Sequence, residues 1–369
     1  MKKILKATWI AVCCIIIFVY LLSCFTPYIT PEKFPLTSLF AVLFPYLFVA
    51  AAFCCLTVFF IKKRVALIFL LVILLAGFKN INNTIAWNMQ KWNMKQSGNA
   101  MRVMTWNCES FINSFPQSFS LALPRIEMLK AIQRYRPDVL CLQEYRNISN
   151  DRFFVSTKKE LDSIGYTYSF LSNDSVITTF KPATMILGVA FFSRLPLTDT
   201  GRINIINKEV NENAVYADVN FNGKQVRVVT AHLRSFNIYR DTTHTGKNIY
   251  EVTFSRKHSI EYKLHHTESI HEREITIIRN LIDKSPDPVI YCGDINGTPA
   301  SYTYNMLRGN MQDAFLEKGS GIGRTFDKLS PTLRIDVCLL DKRLKAVQCT
   351  APQLYLSYHF PIITDVAWK

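Results

Sequence analysis

Residues 8–25 (TWIAVCCIIIFVYLLSCF) carry no charged side chain. As a helix they would run about 27 Å, close to the roughly 30 Å hydrocarbon core of a bilayer. No other feature limits the chain so strongly, because a run this apolar must be covered by lipid or by a large core. Residues 36–61 are likewise uncharged and long enough to cross a bilayer with some tilt. Residues 65–78 are apolar up to Lys79, so a third span needs to extend over 65–87. An anchor over residues 1–87 with three transmembrane helices is therefore expected, with the lipid bilayer as its partner.

Charge gives the orientation. Lys2, Lys3 and Lys6 precede the first span, and Lys62, Lys63 and Arg64 separate the second from the third. Cationic flanks favour the cytoplasm, so three crossings leave the rest of the chain on the extracytoplasmic face of a cell (inner) membrane. Leu21-Leu22-Ser23-Cys24 faintly resembles a lipoprotein cleavage box, but two further apolar segments hold the chain in the membrane either way. The first hundred residues hold ten Lys/Arg against the single Glu32, which is +9 of the net +15. That leaves +6 over 101–369, so +15 is not to be read directly as a nucleic-acid footprint, and an aromatic-rich chain of ordinary charge content is not disordered.

Residues 88–100 (NMQKWNMKQSGNA) are polar and aperiodic, as a tether would be. Beyond them strand and helix patterns alternate. Met101–Asn107 reads as a strand, Pro124–Arg136 as a helix, and Asp138–Glu144 as a strand. Runs at 184–193 and 214–233 follow, the second with Asn222-Gly223 as a two-residue hairpin turn. A helix over about 267–284, a strand at 288–293, a helix near 300–309 and strands near 334–341 and 361–368 complete the pattern. Hairpins mixed with crossover helices imply a large α/β domain, 101–369, with more than one sheet. Five of the ten cysteines lie in the apolar spans. Cys141, Cys292 and Cys338 sit inside apolar strands, where buried thiols are expected rather than disulfides or metal ligands.

The apolar strands end in polar groups: MTWNCE at 104–109, VLCLQE at 139–144, VTAHL at 229–233, IYCGDIN at 290–296, RIDV at 334–337 and SYHFP at 357–361. The carboxylates and amides among them offer oxygen and no sulfur ligands, a set that prefers Mg²⁺ or Mn²⁺ to zinc. Each residue also has a plain structural use. Glu144 could cap a strand, Asn107 and Asn296 could form turns, and His232 and His359 could be core histidines. In this order and spacing the six motifs resemble the endonuclease/exonuclease/phosphatase superfamily, which includes DNase I-like nucleases, neutral sphingomyelinases and inositol-polyphosphate phosphatases. The resemblance implies a four-layer α/β sandwich, two packed mixed β-sheets flanked by helices, and a metal-dependent phosphodiester hydrolase.

By that resemblance Glu144 would hold the metal with Asn107 beside it, and Asp294 would orient or deprotonate the attacking water, aided by Asn296. His232 would bind the phosphate. Asp336 would hydrogen-bond His359, fixing its tautomer and favouring the imidazolium. The family's last motif usually places Asp directly before the histidine, and here Tyr358 stands there. A phenol with pKa near 10 cannot replace an anionic ligand at neutral pH. Glu109 is the candidate substitute, and a solvated loop carboxylate its plain alternative. Arg234 and Arg324 are further candidates for phosphate contact. The stretch 236–266 is rich in cations and histidines, and fits either a solvated flap or a basic loop facing anionic head groups or nucleic acid. The expected substrate is thus a lipid or envelope phosphodiester or a nucleic acid, with no obligate protein partner inferred. A membrane-displayed binding module with a disabled site is the other reading.

Overall fold

The computed structural model describes residues 2–34, 36–111, 123–149, 156–177, 184–205, 213–236 and 260–369. They form two compact units interleaved along the chain: residues 1–84, 235–272 and 297–306 in one, and 85–234, 273–296 and 307–369 in the other.

The first unit contains helices α1 (Lys2–Cys24), α2 (Thr37–Phe59) and α3 (Lys63–Thr84). All three are long and apolar enough to cross a membrane. Cys13, Cys54, Val58 and Ala66 pack between them, while Ile15, Phe18, Val49, Phe53, Leu71 and Leu75 project outward unburied. That inside-out distribution suits lipid as the surrounding solvent. Pro45 sits inside α2, a position tolerated better in a transmembrane helix than in a soluble one. The third helix stops at Thr84, short of the expected residue 87, and Ala86–Trp87 is extended instead.

The second unit is built on β1 (Ala86–Trp87), β2 (Met101–Asn107), α4 (Leu123–Tyr135), β3 (Val139–Ser149), α5 (Thr157–Ser163), β4 (Tyr168–Leu171), β5 (Ser175–Ile177) and β6 (Thr184–Ser193). It continues with β7 (Leu197–Asn204), β8 (Asn213–Phe221), β9 (Lys224–His232), the later part of α6 (Ile260–Asp283), β10 (Val289–Asp294) and the end of α7 (Tyr302–Arg308). The last elements are β11 (Gln312–Asp313), α8 (Ala314–Lys318), β12 (Ser320–Gly321), β13 (Asp336–Leu340), β14 (Leu344–Thr350) and β15 (Ile362–Trp368). One sheet has the order β11-β13-β10-β9-β8-β7 and the other β14-β15-β2-β3-β6-β4, with β5 on β6 and a small β1-β12 pair apart. Pairs β2-β3 and β9-β10 are parallel and the rest antiparallel. The expected sandwich of two mixed sheets with helices is therefore present. The hairpin turn at Asn222-Gly223 has both residues at positive φ (55° and 79°), the type I′ geometry the dipeptide favours.

Alternation along each strand explains the packing. Val103, Cys141, Val228, Ile290, Cys292 and Cys338 face inward and fill the space between the sheets. Met104, Trp106, Leu140 and Leu142 face outward against Met128, Ala131 and Ile132 of α4. All five cysteines outside the apolar helices are buried and free, as their apolar settings suggest.

Residues 88–100, expected as a tether, are strapped to the second unit. Asn88 Nδ2 donates to Leu316 O (2.8 Å), Asn93 and Gln348 exchange two hydrogen bonds (both 2.9 Å), and Gln96 donates to Asp138 (2.6 Å). Polarity and lack of periodicity mark a segment with no regular structure, and do not distinguish a free one from one bonded through its side chains. Arg102 lies at the centre of this arrangement. Its guanidinium makes a two-pronged bond to Asp365 (2.6 and 2.9 Å), donates to Met94 O and Tyr135 O, and stacks over Trp92. Both partners of the ion pair are buried, and breaking one side of such a pair strands the other charge. Arg102→Met should lower unfolding stability by about 3–5 kcal/mol, and Arg102→Met combined with Asp365→Leu by clearly less. Denaturant titration of the three proteins measures this.

Candidate active site

The inward rows of side chains that form the inter-sheet core turn polar at one end. On β2 the row Met101, Val103 ends in Thr105 and Asn107, and on β9 the row Val226, Val228 ends in Thr230 and His232. On β10 Ile290 and Cys292 lead to Asp294, and on antiparallel β13 Leu340 and Cys338 lead back to Asp336. Strand register then sets the neighbours: Asp294 is the pairing partner of both His232 and Asp336. Three chemical groups thus stand side by side on adjacent strands. Gly293 allows the parallel strands to lie this close, since a Cβ there would sit 2.2 Å from Ala231 O.

Glu144 reaches the site differently. Strand alternation would turn it outward like Leu142, but a bulge between Leu142 and Tyr145 inserts one residue opposite β6. Glu144 takes φ 50° within it. Bulges beside functional sites re-aim side chains in this way. The Cys108 N–H donates to Gln143 O (3.0 Å) and pins the bulge from the side. Asn296 also has positive φ (47°), and its turn is closed by its own N–H on Asp294 Oδ1 (2.9 Å) and its side chain on Leu233 O (2.9 Å).

The two sheets bring these groups into one cluster. Asn107 Nδ2 donates to Asp294 Oδ2 (3.1 Å) and lies 3.4 Å from Glu144 Oε1. His232 Nε2 lies 3.7 Å from Asp294, 3.8 Å from Glu144 and 3.3 Å from Asn296 Nδ2. His359 Nδ1 is 3.0 Å from Asp336 Oδ2 and 3.6 Å from Asp294 Oδ2. Asn107, Asp294, Asp336 and His359 are buried, whereas the Glu144 carboxylate is 40% exposed and open to an incoming group. As seated, Asn107 shows its amide nitrogen to the carboxylates, while its oxygen accepts from the Glu109 N–H (3.1 Å). It orients the two acids in this rotamer and would offer an oxygen to a cation only after an amide flip.

Glu109 lies in a short left-handed turn after Asn107, with φ 44°. Burial pushes its carboxyl up to about 7. His359 and a hydrogen bond from the Tyr358 N–H oppose this, and the Glu144 and Asp327 charges add to it. The carboxyl is therefore partly buried and within electrostatic reach of His359, Glu144 and Asp327. Tyr358 turns away, 45% exposed, with the Lys328 ammonium 4.4 Å from its ring centre. Arg324 spends its donors on the carbonyls of Phe326 and Asp327, so it braces a loop and does not present a free guanidinium. The Arg234 N–H bonds buried Glu274. Of the 236–266 stretch, Tyr239, Arg240, His244, Lys247, Tyr250, Phe254, Arg256, Lys257 and His258 lie outside the described residues.

Several contributors carry no local signal. Asp327 meets the site because Phe326 bridges to His359 and the Asp327 N–H bonds Tyr358 O (2.8 Å). Thr325 Oγ1 accepts from the Ile335 and Asp336 N–H groups (2.9 and 3.1 Å), and Ser357 Oγ joins Asn107 O to the His359 backbone. Below the cluster Gln143 Nε2 donates to Thr105 (3.0 Å) on its own sheet and to Thr230 (2.9 Å) on the other.

Two sets of donors could contribute to a metal site. Ligand atoms of Asp294, Asp336 and His359 lie within 4.8 Å of one another, and separately Glu144 offers a part-exposed carboxylate whose charge is felt at Glu109. In the first set burial opposes a charged His359, but the carboxylates of Asp336 and Asp294 outweigh it and raise its pKa to about 10. A protonated imidazole donates hydrogen bonds and does not ligate.

Two sheets ending in an acid, amide and imidazole cluster of this kind define an α/β sandwich with a polar centre between its sheet ends. The chain belongs to the endonuclease/exonuclease/phosphatase family, whose sequence model matches residues 104–359. A domain of unknown function, DUF8431, matches residues 2–84. Among curated proteins the chain is similar to protein angel homolog 2 of Danio rerio, 26% identical over 196 residues, which are 50% of this chain and 29% of that protein. In fold it resembles the endonuclease/exonuclease/phosphatase of Beutenbergia cavernae DSM 12333, with TM-score 0.52, 18% identity and coverage of 73% of this chain and 72% of that one. It also resembles the human Nocturnin catalytic domain, with TM-score 0.51, 18% identity and coverage of 74% and 97%.

A histidine made more basic by folding stabilises the folded state fully below its unfolded pKa, near 6.5, and that contribution is lost as pH rises through about 10. His359 should thus stay protonated at pH 8 in histidine-detected NMR. Asp336→Asn should bring its titration down toward the ordinary range.

Proposed function

We propose that the protein is a membrane-anchored, divalent-metal-dependent phosphodiester hydrolase. The observation that carries this reading is the convergence, from two sheets, of His232, Asp294, Asp336 and His359 with the open carboxylate of Glu144. Phosphodiester cleavage needs a positioned water, donors for the charge that develops on the phosphoryl oxygens, and a cation. Asp294 suits the first need: it is buried and held by Asn107 and the Asn296 N–H, with the two imidazoles 3.7 and 3.6 Å away. His232 and protonated His359 flank it from opposite sides and suit the second. Asp336 acts through His359, keeping it charged.

The residues fit a hard cation. Glu144 and Glu109 would hold Mg²⁺ or Mn²⁺: burial is the main cause of the raised Glu109 pKa, the Glu144 charge adds to it, and a cation would offset both. Bound there, the metal would supply a Lewis acid for a phosphoryl oxygen. Glu109 thereby takes the part of the carboxylate missing at Tyr358.

Three apolar helices favour a phosphodiester of the membrane or envelope over a nucleic acid, and the charge pattern favours an extracytoplasmic catalytic domain. The exposed Tyr358 supports the second reading, a membrane-displayed binding module. The full chain should hydrolyse bis-p-nitrophenyl phosphate only with Mg²⁺ or Mn²⁺. Glu144→Gln should lower turnover at least 100-fold, and Glu109→Gln should lower it and raise the metal requirement. Unchanged activity in Glu109→Gln would remove Glu109 from the metal site. A silent wild type restored by Tyr358→Asp would mark a disabled enzyme. Comparing plasmid DNA with phosphatidylinositol and sphingomyelin vesicles then separates the substrate classes.

A further inference from the structure

Residues 87–95 run along the second unit as a strap, and their side chains divide between holding on and facing out. Asn88 Nδ2 donates to Leu316 O (2.8 Å), Gln90 Nε2 donates to Val347 O (3.3 Å), and the Trp92 ring lies against the Arg102 guanidinium, 4.9 Å from its centre. Trp87 is paired with Ser320 in the β1-β12 ladder, and Asn93 exchanges its two bonds with Gln348. The residues between these holds are exposed. Trp87 is 69% exposed and Met89 96%, and Lys91, Met94 and Lys95 follow them on the surface. A strap bonded at so many points could turn its large apolar groups inward, as it does with Trp92, which packs against the outer face of the sandwich. Instead it carries a tryptophan, two methionines and two lysines on its outer side.

Chain connectivity supplies a solvent for them. Lys63 and Arg64 mark one end of the third apolar helix, and from Val65 to its last residue, Thr84, the helix rises about 30 Å, the thickness of a hydrocarbon core. Thr84 then stands at the far boundary of that core. Trp87 is three residues further on, so its Cα lies within about 11 Å of the boundary, in the layer of glycerol and headgroups. An indole is suited to that layer, with an apolar ring and one N–H donor. Charge agrees with this. No Asp or Glu occurs between Glu32 and Glu109, so Lys91 and Lys95 give the strap a cationic face that complements anionic headgroups.

We propose that residues 87–95 are a lipid-docking surface of the second unit. Trp87 and Met89 enter the interfacial layer of the bilayer that carries the chain, and Lys91 and Lys95 meet its anionic headgroups. The inference rests on the membrane-anchored part of the reading above and not on hydrolysis. The second unit is then a peripheral membrane domain in its own right, held by its own surface as well as by the covalent link.

The test uses the full chain in phosphatidylcholine nanodiscs whose acyl chains either carry bromine near the carbonyl end or do not. Bromine quenches tryptophan on contact, and the emission of each indole is obtained as the difference between wild type and its Trp→Phe variant. Trp9, in α1, reports on the anchor, Trp87 on the proposed surface and Trp368, at the end of β15, on the sandwich. Trp87 and Trp9 should lose most of their emission in brominated discs, and Trp368 should keep its own. Adding phosphatidylglycerol should deepen the quenching of Trp87, and Lys91→Gln combined with Lys95→Gln should abolish that increment. Trp87 unquenched while Trp9 is quenched would overturn the docking surface and leave the anchor standing. Quenching at Trp368 equal to that at Trp87 would also overturn it, since lipid would then be no particular partner of the strap. Quenching of Trp87 that ignores phosphatidylglycerol, or an increment that survives loss of both lysines, would overturn their role. Trp9 and Trp87 both unquenched would overturn the anchor reading and the surface with it.

Discussion

The distances within the cluster depend on how two separate sheets are held against each other, since Asn107 and Glu144 come from one and His232, Asp294 and Asp336 from the other. Apolar packing fixes the separation of sheets but is indifferent to small slides. Gln143 is not indifferent. Its single amide nitrogen donates to Thr105 on its own sheet and to Thr230 on the opposite one, in a setting with no access to water. A slide of either sheet would leave a buried donor unsatisfied, at a cost of about 1–3 kcal/mol. Asn107, Glu144 and His232 are one or two positions further along the same three strands, where little slack remains.

Much of this was legible in the sequence because strand ends and turns obey local rules. The apolar strands leading to Asn107, His232, Asp294 and Asp336, the Asn222-Gly223 turn, and the α4 periodicity each carry their own signal within a few residues. What escaped is non-local. Asp327 approaches Glu109 only because a bridge joins Phe326 to His359. The bulge at Glu144 breaks alternation at a point where QE looks like an ordinary strand end. The strapping of residues 88–100 depends on side-chain partners hundreds of positions away, such as Gln348 for Asn93. Arg324 shows the converse, a cation well placed in sequence whose donors are taken by its own loop.

The electrostatics of the cluster divide it in two. Its buried half, Asp336 and His359 beside Asp294, is a locally balanced arrangement whose imidazolium is maintained by fixed neighbours. Its other half holds the part-exposed Glu144 carboxylate and Glu109, which feels the charges of Glu144 and Asp327 against that of His359. In the proposed reaction the first region is ready without a ligand, and the second is the one a divalent cation would complete.

The left-handed backbone at Glu144 sets stability against chemistry at a single position. A non-glycine residue there carries a conformational cost of order 1 kcal/mol or more, and glycine would relieve it. A search for more heat-resistant versions of this protein, blind to activity, would therefore favour glycine at the one place where the carboxylate is indispensable to the proposed chemistry. Robustness and reactivity are in direct competition within one peptide unit, and gains in the first at this position are a measure of what the second requires.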